Sequence, residues 1–220
     1  MDKLKIFNVK WTSQSAGPSL DNNKRTEVFL AGCKKAREGR ACKGCFNKEL
    51  WSQDVYYGLC TPVEAFENIK KYAPNKYITF VGGEPLDQIK PLAELCRLLK
   101  NDGFHIILIT HYKVSELHSY EHLDAVSKIV LLHTVDVIID GEYDETQRIW
   151  DEEKAGDGLH DVIGSGNQLI WDFHRSRMGE PLEPIAAGDL EGLCMNTKEN
   201  LVFITKDTAK TAENIQEEIA

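Results

Sequence analysis

The sequence predicts an α/β fold in which crossover helices connect the strands of a parallel sheet. Apolar runs typical of strands alternate with amphipathic runs typical of helices, which is the pattern of βαβ units. Residues 104–110 (FHIILIT) and 135–141 (VDVIIDG) are also apolar at most positions, as in strands that are buried on both faces. Such a sheet stays open or rolls into a barrel. At 220 residues, we expect a single domain, with room for only a small second one.

Each predicted element has its own signal. The helix over residues 60–74 is favoured by Thr61 at the N-cap, Pro62 in the first turn and Glu64 at the capping-box position. An amphipathic pattern closed by a glycine predicts the next helix. The predicted strands are residues 4–9, 26–32, 76–85, 104–110, 135–141 and 167–172, and the predicted helices are residues 60–74, 89–103 and 123–134.

The alternation of strand-like and helix-like runs weakens from about residue 176. Residues 180–192 are expected to form a loop, residues 201–206 a late strand, and residues 207–220 a short helix or a frayed tail. We therefore expect a domain over residues 1–175 and an extension over residues 176–220 that packs on this domain or trails from it.

Charge and composition argue against several functional classes. Lys and Arg number 26 and Asp and Glu number 35, for a formal net charge of −9, which disfavours a general nucleic-acid binder. No run approaches the roughly 18 apolar residues of a membrane span, and the amino-terminal MDKLKIFNVKW lacks the features of a secretory signal. We expect a cytoplasmic protein. In that reducing compartment six cysteines favour metal binding or redox chemistry over a disulfide framework.

Residues that could bind a ligand or a metal follow four of the predicted strands. Because the carboxyl ends of parallel strands meet at one edge of the sheet, where ligands bind, we expect these residues to form one site. They are Cys33, Gly82–Pro85, Thr110, His111, Asp140 and Gly141.

Three cysteines cluster before the first predicted helix. Cys42 and Cys45 form a C-x-x-C pair, and eight residues separate Cys33 from Cys42. A closed zinc site needs four ligands, so zinc would require one of the other cysteines. A [4Fe–4S] cluster with one iron left open for a small chelating ligand needs only three. Spacing alone leaves iron–sulfur, zinc and plain thiols open. The remaining cysteines, Cys60, Cys96 and Cys194, are expected to be structural.

The stretch FVGGEP, residues 80–85, ends a predicted strand. Its glycines would let the backbone approach a ligand, and Glu84 would offer a carboxylate to a small cationic group such as an amino group. The alternative is a tight turn that uses the glycines only for their backbone freedom.

Together these motifs resemble the radical S-adenosylmethionine (SAM) enzymes. A strand leads to a three-cysteine loop that ends in C-x-x-C and an aromatic residue, and a G-G-E-P turn ends the next strand. Within that superfamily, over roughly residues 5–173, the chain resembles the activating proteins of anaerobic (class III) ribonucleotide reductase. The blocks that resemble this family are GCFNKELW (44–51), FVGGEPLDQ (80–88), VDVIIDGEYDE (135–145) and GSGNQLIWD (164–172).

The resemblance implies a partial parallel (βα)6-type barrel and assigns roles to individual residues. Cys33, Cys42 and Cys45 would bind a [4Fe–4S] cluster, whose open iron would be chelated by SAM. The other expected SAM contacts are Phe46 near the adenine, Gly82, Gly83 and Glu84 at the amino end, Thr110 and Asp140 at the strand edge, and Ser165, Asn167 and Gln168 near SAM or the entry of a partner.

The cysteine spacing departs from the family pattern, which is C-x3-C-x2-C. The longer loop, residues 34–43 (KKAREGRACK), has five positive charges and one negative charge, so its net charge is 5 − 1 = +4. It is either an ordinary solvated loop or a docking patch for an acidic electron donor, a flavodoxin or ferredoxin, because opposite charge speeds encounter.

The implied activity is reductive cleavage of SAM to methionine and a 5′-deoxyadenosyl radical. This radical would take a hydrogen atom from a glycine of a large glycyl-radical reductase subunit. One alternative is a radical SAM enzyme that acts on a small molecule, similar to the 7-carboxy-7-deazaguanine synthases, with residues 176–220 folded over the barrel. Another is a non-catalytic metal-binding module. No nucleic-acid or membrane partner is expected.

Overall fold

A computed structural model describes residues 2–21, 24–149 and 163–186. The described residues contain an eight-stranded mixed sheet with the order β3-β1-β2-β4-β5-β6-β7-β8. The strands are β1 (Leu4–Ser13), β2 (Arg25–Leu30), β3 (Gly58–Cys60), β4 (Tyr77–Gly82), β5 (His105–Ile109), β6 (Val137–Asp140), β7 (Leu169–Asp172) and β8 (Pro184–Ala186). The α-helices are α1 (Lys34–Arg37), α2 (Pro62–Tyr72), α3 (Ile89–Asn101), α4 (Ala125–Thr134) and α5 (Phe173–Arg177).

The centre of the sheet is parallel. Strands β2, β4, β5 and β6 pair side by side in the same direction, and this confirms the predicted α/β fold with a parallel sheet. Two antiparallel strands extend the sheet on each side, β1 and β3 beyond β2 and β7 and β8 beyond β6. All six strands and all three helices predicted within residues 1–175 are present, and β1 and β7 are the two of these strands that run antiparallel to their neighbours.

Two short edge strands differ from expectation. Residues 184–186 were expected to lie in a loop, but they pair with β7, with Ile185 opposite Ile170. That prediction was wrong because Pro184 reads as a loop residue, whereas a proline is tolerated at the first position of an edge strand. Residues 58–60 also pair, with β1. The predicted late strand at 201–206 and the tail at 207–220 lie outside the described residues.

Alternate residues of the parallel strands face two different environments. One face packs under α2, α3 and α4 and contributes the main apolar core, which includes Val28, Phe80, Leu108 and Ile138. The other face carries a smaller cluster, Tyr77, Ile107, Val137, Ile139, Ile163 and Ile170. The second face is therefore the one that encloses the cavity described below.

Local signals explain where the helices begin. At α2, Thr61 accepts a hydrogen bond from the Glu64 backbone N–H at 3.2 Å, and the Glu64 carboxylate accepts one from the Thr61 N–H at 2.8 Å. The predicted capping box is confirmed. Helix α4 begins after Asp124, whose carboxylate accepts from the Ser127 N–H. None of the helices in the described ranges is long and apolar enough to cross a membrane.

A buried ion-pair network ties the amino end of β6 to its surroundings. The Asp136 carboxylate is fully buried and accepts from the Ile106 N–H at 2.8 Å, from Lys100 at 2.5 Å and from Arg177 at 2.7 Å. Burial alone would raise the pKa of Asp136, but hydrogen bonds from His174 and Lys100 and nearby positive charge hold it well below its ordinary value. This network lies at the end of the sheet opposite to the predicted site.

Candidate metal centre and ligand cavity

An open cavity of about 320 Å³ lies at the carboxyl ends of the parallel strands. The structure brings most of the sequence-predicted residues to its wall: Cys33, Cys42, Cys45, Phe46, Gly82, Gly83, Glu84, Thr110, His111, Gly141 and Gln168. Because four parallel strands end side by side, residues far apart in sequence reach one place. Their convergence was predicted, and their roles as ligands stay a prediction.

The long cysteine loop is accommodated by a short helix. Cys33 is the N-cap of α1, whose four residues are the first half of the eight residues between Cys33 and Cys42. The chain then turns back to Cys42, and the Cys45 N–H donates to the Cys42 carbonyl at 3.2 Å. All three cysteines therefore line the same cavity despite the stretched spacing.

The donor set fits a polynuclear cluster. All three cysteines are free, Cys33 is buried, and Cys42 and Cys45 are half-buried. The Trp51 indole N–H donates to the Cys45 sulfur at 3.4 Å. Within the described ranges, no three His, Cys, Asp or Glu side chains form a group that could hold a metal ion. Three free thiols at one cavity match the three protein ligands of a [4Fe–4S] cluster that leaves one iron open, whereas a closed structural zinc site takes four ligands.

The other cysteines are placed differently. Cys96 is fully buried in the apolar core, where burial strongly raises the pKa of its thiol. Cys60 is half-buried at the end of β3, and burial raises the pKa of its thiol as well. Both positions fit the expected structural role, and Cys194 lies outside the described residues.

The two glycines of FVGGEP are required by packing. A Cβ on Gly82, whose φ is +133°, would collide with the backbone of Leu30. A Cβ on Gly83 would collide with the Gly32 carbonyl oxygen and lie 2.6 Å from the Leu50 carbonyl oxygen. The β4 turn therefore lies directly against β2 and the cysteine loop. The predicted approach of this backbone to a ligand stays a prediction.

We expect Gly83→Ala to lower the free energy of unfolding by about 1–3 kcal/mol, because overpacking forces backbone to move. Gly58→Ala is the matched control, since a Cβ there would have its nearest neighbours at 3.8 Å, and it is expected to cost less than about 0.5 kcal/mol. Urea unfolding of both variants measures the difference. Equal stability of the two variants would show that the turn can move away from β2.

Glu84 is held almost entirely by protein groups. It is 1% exposed. Its Oε1 accepts from the Leu86 N–H at 2.8 Å and from the Thr110 hydroxyl at 2.7 Å. Its Oε2 accepts from the His111 N–H at 2.9 Å and lies 2.6 Å from His111 Nδ1. A contact between Glu84 and a ligand amino group stays a prediction, and it would require one of these donors to move.

His111 lines the cavity beside Glu84. Its ring stacks on Tyr112 with centroids 4.3 Å apart, and it lines the same cavity as Cys33. Burial favours the neutral ring, but the charge of Glu84 and hydrogen bonds to Cys33 and Glu84 raise the pKa of His111 to about 10.

Three residues expected near SAM make other contacts. The Asp140 carboxylate accepts from the Val114 N–H at 2.6 Å and so holds the start of the 3-10 helix Val114–Ser119. The Ser165 hydroxyl accepts from the Asp144 N–H. The Asn167 amide donates to the Glu142 carbonyl at 2.7 Å. None of these three is among the lining residues of the described cavity, and their roles toward SAM stay predictions.

Phe46 contributes an aromatic wall. Its side chain is 57% exposed, and its ring lies 4.5 Å from that of Tyr143. The Arg148 guanidinium lies 5.2 Å from the Phe46 ring centroid. A flat apolar surface at the rim of the cavity is suited to stacking against a purine base.

Several cavity residues were missed from sequence. Asn47 donates from its amide to the Gly82 carbonyl at 3.0 Å and so joins the cysteine loop to the glycine turn. Lys10 and Glu27 pair across β1 and β2 with an Nζ–Oε2 distance of 3.6 Å, and both line the cavity. Alternation along β2 was the available signal for Glu27, which shares a face with Phe29.

Comparisons with known proteins give the family. Residues 22–170 match a family model described as a 4Fe-4S single cluster domain. Three curated relatives share the name anaerobic ribonucleoside-triphosphate reductase-activating protein. The relative from Enterobacteria phage T4 is 27% identical over 67% of this chain and 83% of its own length. The relative from Pasteurella multocida is 28% identical over 68% and 87%, and that from Haemophilus influenzae is 26% identical over 68% and 88%.

A similar solved structure is that of QueE from Escherichia coli, with 18% identity and a TM-score of 0.40 over 50% of this chain and 53% of that chain. The family model, in contrast, matches well over half of this chain and includes β2 to β6, all three loop cysteines and the G-G-E-P turn. The chain belongs to the 4Fe-4S single cluster domain family.

Proposed function

We propose that this protein is a radical SAM activating enzyme that generates a glycyl radical on an anaerobic ribonucleoside-triphosphate reductase. The observation that carries the proposal is the placement of three free cysteines of an iron–sulfur family member around one cavity beside the G-G-E-P turn. The reductase is proposed as partner because the curated relatives that bear this name are matched over 83%, 87% and 88% of their lengths.

Different residues of the chain would bind the cluster, pack against SAM and exclude water. Cys33, Cys42 and Cys45 would hold the [4Fe–4S] cluster, which supplies the electron that cleaves the SAM sulfonium reductively. Phe46 and Tyr143 would pack against the adenine. The apolar side chains of the cavity face, such as Val81 and Ile109, would exclude water from the reacting region.

The decisive experiment is anaerobic. The protein is reconstituted with iron and sulfide, reduced with dithionite and supplied with SAM, with or without an anaerobic ribonucleoside-triphosphate reductase. We expect 5′-deoxyadenosine and, on the reductase, a glycyl-radical signal by electron paramagnetic resonance. 5′-Deoxyadenosine with no radical on the reductase would favour a small-molecule substrate instead. A protein that binds zinc and takes up no iron would contradict the proposal.

The basic loop, residues 34–43, is proposed as the docking site for a flavodoxin or ferredoxin donor. Not all of the positive charges of this loop are exposed. Lys35 pairs with Glu142 and is only 11% exposed at its side chain, so it fixes the loop rather than facing a partner. Lys34, Arg37 and Arg40 lie in the loop between Cys33 and Cys42 and are exposed. Their only acidic neighbour within the loop is Glu38, which pairs with Lys34 and Arg40.

We expect replacement of Lys34, Arg37 and Arg40 by Gln to slow cluster reduction by reduced flavodoxin about tenfold at low salt and to flatten its salt dependence. Replacement of Lys71, Lys90 and Arg97, which are exposed on α2 and α3, removes the same charge elsewhere and should leave the rate nearly unchanged. Stopped-flow reduction at several salt concentrations measures both. Equal slowing by the two triple variants would attribute the effect to net charge alone.

A further inference from the structure

We propose that Trp51 donates a hydrogen bond from its indole N–H to the sulfur of Cys45 and thereby raises the reduction potential of the cluster. The proposal rests on the cluster named under the proposed function. Trp51 lies outside the predicted ligand set and acts through Cys45, so it is a positioning residue. Three observations support its role: the contact itself, the way in which the tryptophan is held, and its place in the wall of the cavity.

The contact joins two side chains that are six residues apart. The indole Nε1 of Trp51 lies 3.4 Å from the Cys45 sulfur and donates to it. An indole N–H can only donate, so the direction of this bond depends neither on a tautomer nor on pH. A cysteine that binds iron is a thiolate, and a hydrogen bond to an ionised acceptor is stronger than one between neutral groups.

The backbone of Trp51 is held by the strand that leads to the first cysteine. Its carbonyl oxygen accepts from the Cys33 N–H at 3.0 Å, and the carbonyl oxygen of Leu50 accepts from the Gly32 N–H at 2.8 Å. Leu50 is only 1% exposed. Trp51 therefore contacts two of the three cysteines, Cys33 through its backbone and Cys45 through its side chain.

The segment that precedes Trp51 is also tied to the glycine turn at the end of β4. The Asn47 amide donates to the Gly82 carbonyl at 3.0 Å. A Cβ on Gly83 would lie only 2.6 Å from the Leu50 carbonyl oxygen, so the two backbones are in direct contact. These contacts keep the indole in one place while the charge on the sulfur changes.

The position of the bond adds to its strength. Trp51 and Cys45 both line the ligand cavity, and both are half-buried. The effective dielectric constant at a partly buried site is lower than in water, so a hydrogen bond to a charged sulfur is electrostatically stronger there. The donor therefore acts on the sulfur at a place where bulk water screens it only in part.

The consequence for the potential follows from charge. Reduction adds an electron to the cluster and increases the negative charge on its thiolate sulfurs. A hydrogen-bond donor to such a sulfur stabilises the reduced state more than the oxidised state and raises the potential. The donor at Cys45 would thus make the cluster easier to reduce, which is the step on which SAM cleavage depends.

The test is a redox titration of the full-length protein, reconstituted anaerobically and followed by the electron paramagnetic resonance signal of the reduced cluster. Samples are poised at the midpoint of the wild-type protein, where the ratio of reduced to oxidised cluster is one. For Trp51→Phe we expect this ratio to fall roughly three- to tenfold, because the donor is lost.

A second variant separates the donor from the packing of the ring. 3-Benzothienylalanine in place of Trp51 keeps the shape of the side chain and has a sulfur where the indole has its N–H, and we expect the same fall in the ratio. The matched control is Trp11→Phe. Trp11 is also half-buried, but it lies in β1 with its ring 5.6 Å from that of Tyr72, so this change should leave the ratio at one.

Iron and sulfide per chain are measured in every sample, so that loss of the cluster is separated from a change in potential. A ratio of one in the benzothienylalanine variant with normal iron content would overturn the proposal, whatever the Phe variant does. If the benzothienylalanine variant takes up no iron, the N–H is needed to hold the cluster rather than to set its potential, and the proposal is overturned equally. Wild-type protein that shows no reduced-cluster signal would instead contradict the proposed function.

Discussion

Cys42→Ala is expected to reduce formation of 5′-deoxyadenosine more than about 100-fold, because even outer groups of a metal site typically cost 10- to 100-fold when removed. Cys42 lines the cavity with Cys33 and Cys45, and within the described residues no other cysteine lines it. The cluster would be left with two protein ligands. We expect less iron per chain in this variant and loss of the reduced-cluster signal.

Cys60→Ala is the matched control for that prediction. Cys60 is also a free, half-buried thiol, but it lies at the far edge of the sheet, in β3. We expect 5′-deoxyadenosine formation within about twofold of wild type, since substitutions away from a site seldom exceed about 0.5 kcal/mol. If Cys42→Ala retained full iron and activity, the cluster would have to be held by other residues. If both variants lost activity equally, the loss would reflect damage to the fold.

The centre of the fold could be predicted because its sequence signals are local. Strands buried on both faces, such as β5, leave a continuous apolar run, and the capping box at Thr61 leaves a pattern within four residues. The edge strand β8 has no such signal, because its pairing with β7 depends on a neighbour rather than on its own composition. The direction of β1 and β7 likewise depends on their partners.

The location of the site could be predicted from the sequence as well. Residues at strand ends, such as Cys33 and Thr110, could be predicted to lie close together because parallel strands end at one edge of the sheet. The direction in which each side chain points at that edge could not be predicted. Glu84 accepts hydrogen bonds from residues 26 and 27 positions away, and Asp140 turns to the Val114 N–H. Those contacts depend on packing between loops, which leaves no mark in the spacing of the residues.

The largest effect on stability is expected at the opposite end of the sheet, for Asp136→Asn. The carboxylate is fully buried and pairs with Lys100 and Arg177. Removal of its charge leaves those cations without their buried partner, and breaking a buried pair typically costs about 3–5 kcal/mol. Asp102→Asn is the matched control, because Asp102 also pairs with two cationic side chains, Lys70 and Lys76, but at the surface. Surface pairs contribute about 0–1 kcal/mol.

The effect of Asp136 should also depend on pH with a defined sign. Its pKa is lower in the folded protein than in the unfolded chain, where the pKa of an Asp side chain is about 3.9. Its contribution is therefore fully present above about pH 4 and is lost as the pH falls toward the lower folded pKa. Urea unfolding at pH 7 and at pH 3 should show a smaller gap between wild type and Asp136→Asn at the lower pH. A gap that stays constant or widens on acidification would mean that packing of the side chain, rather than its charge, holds this end of the sheet together.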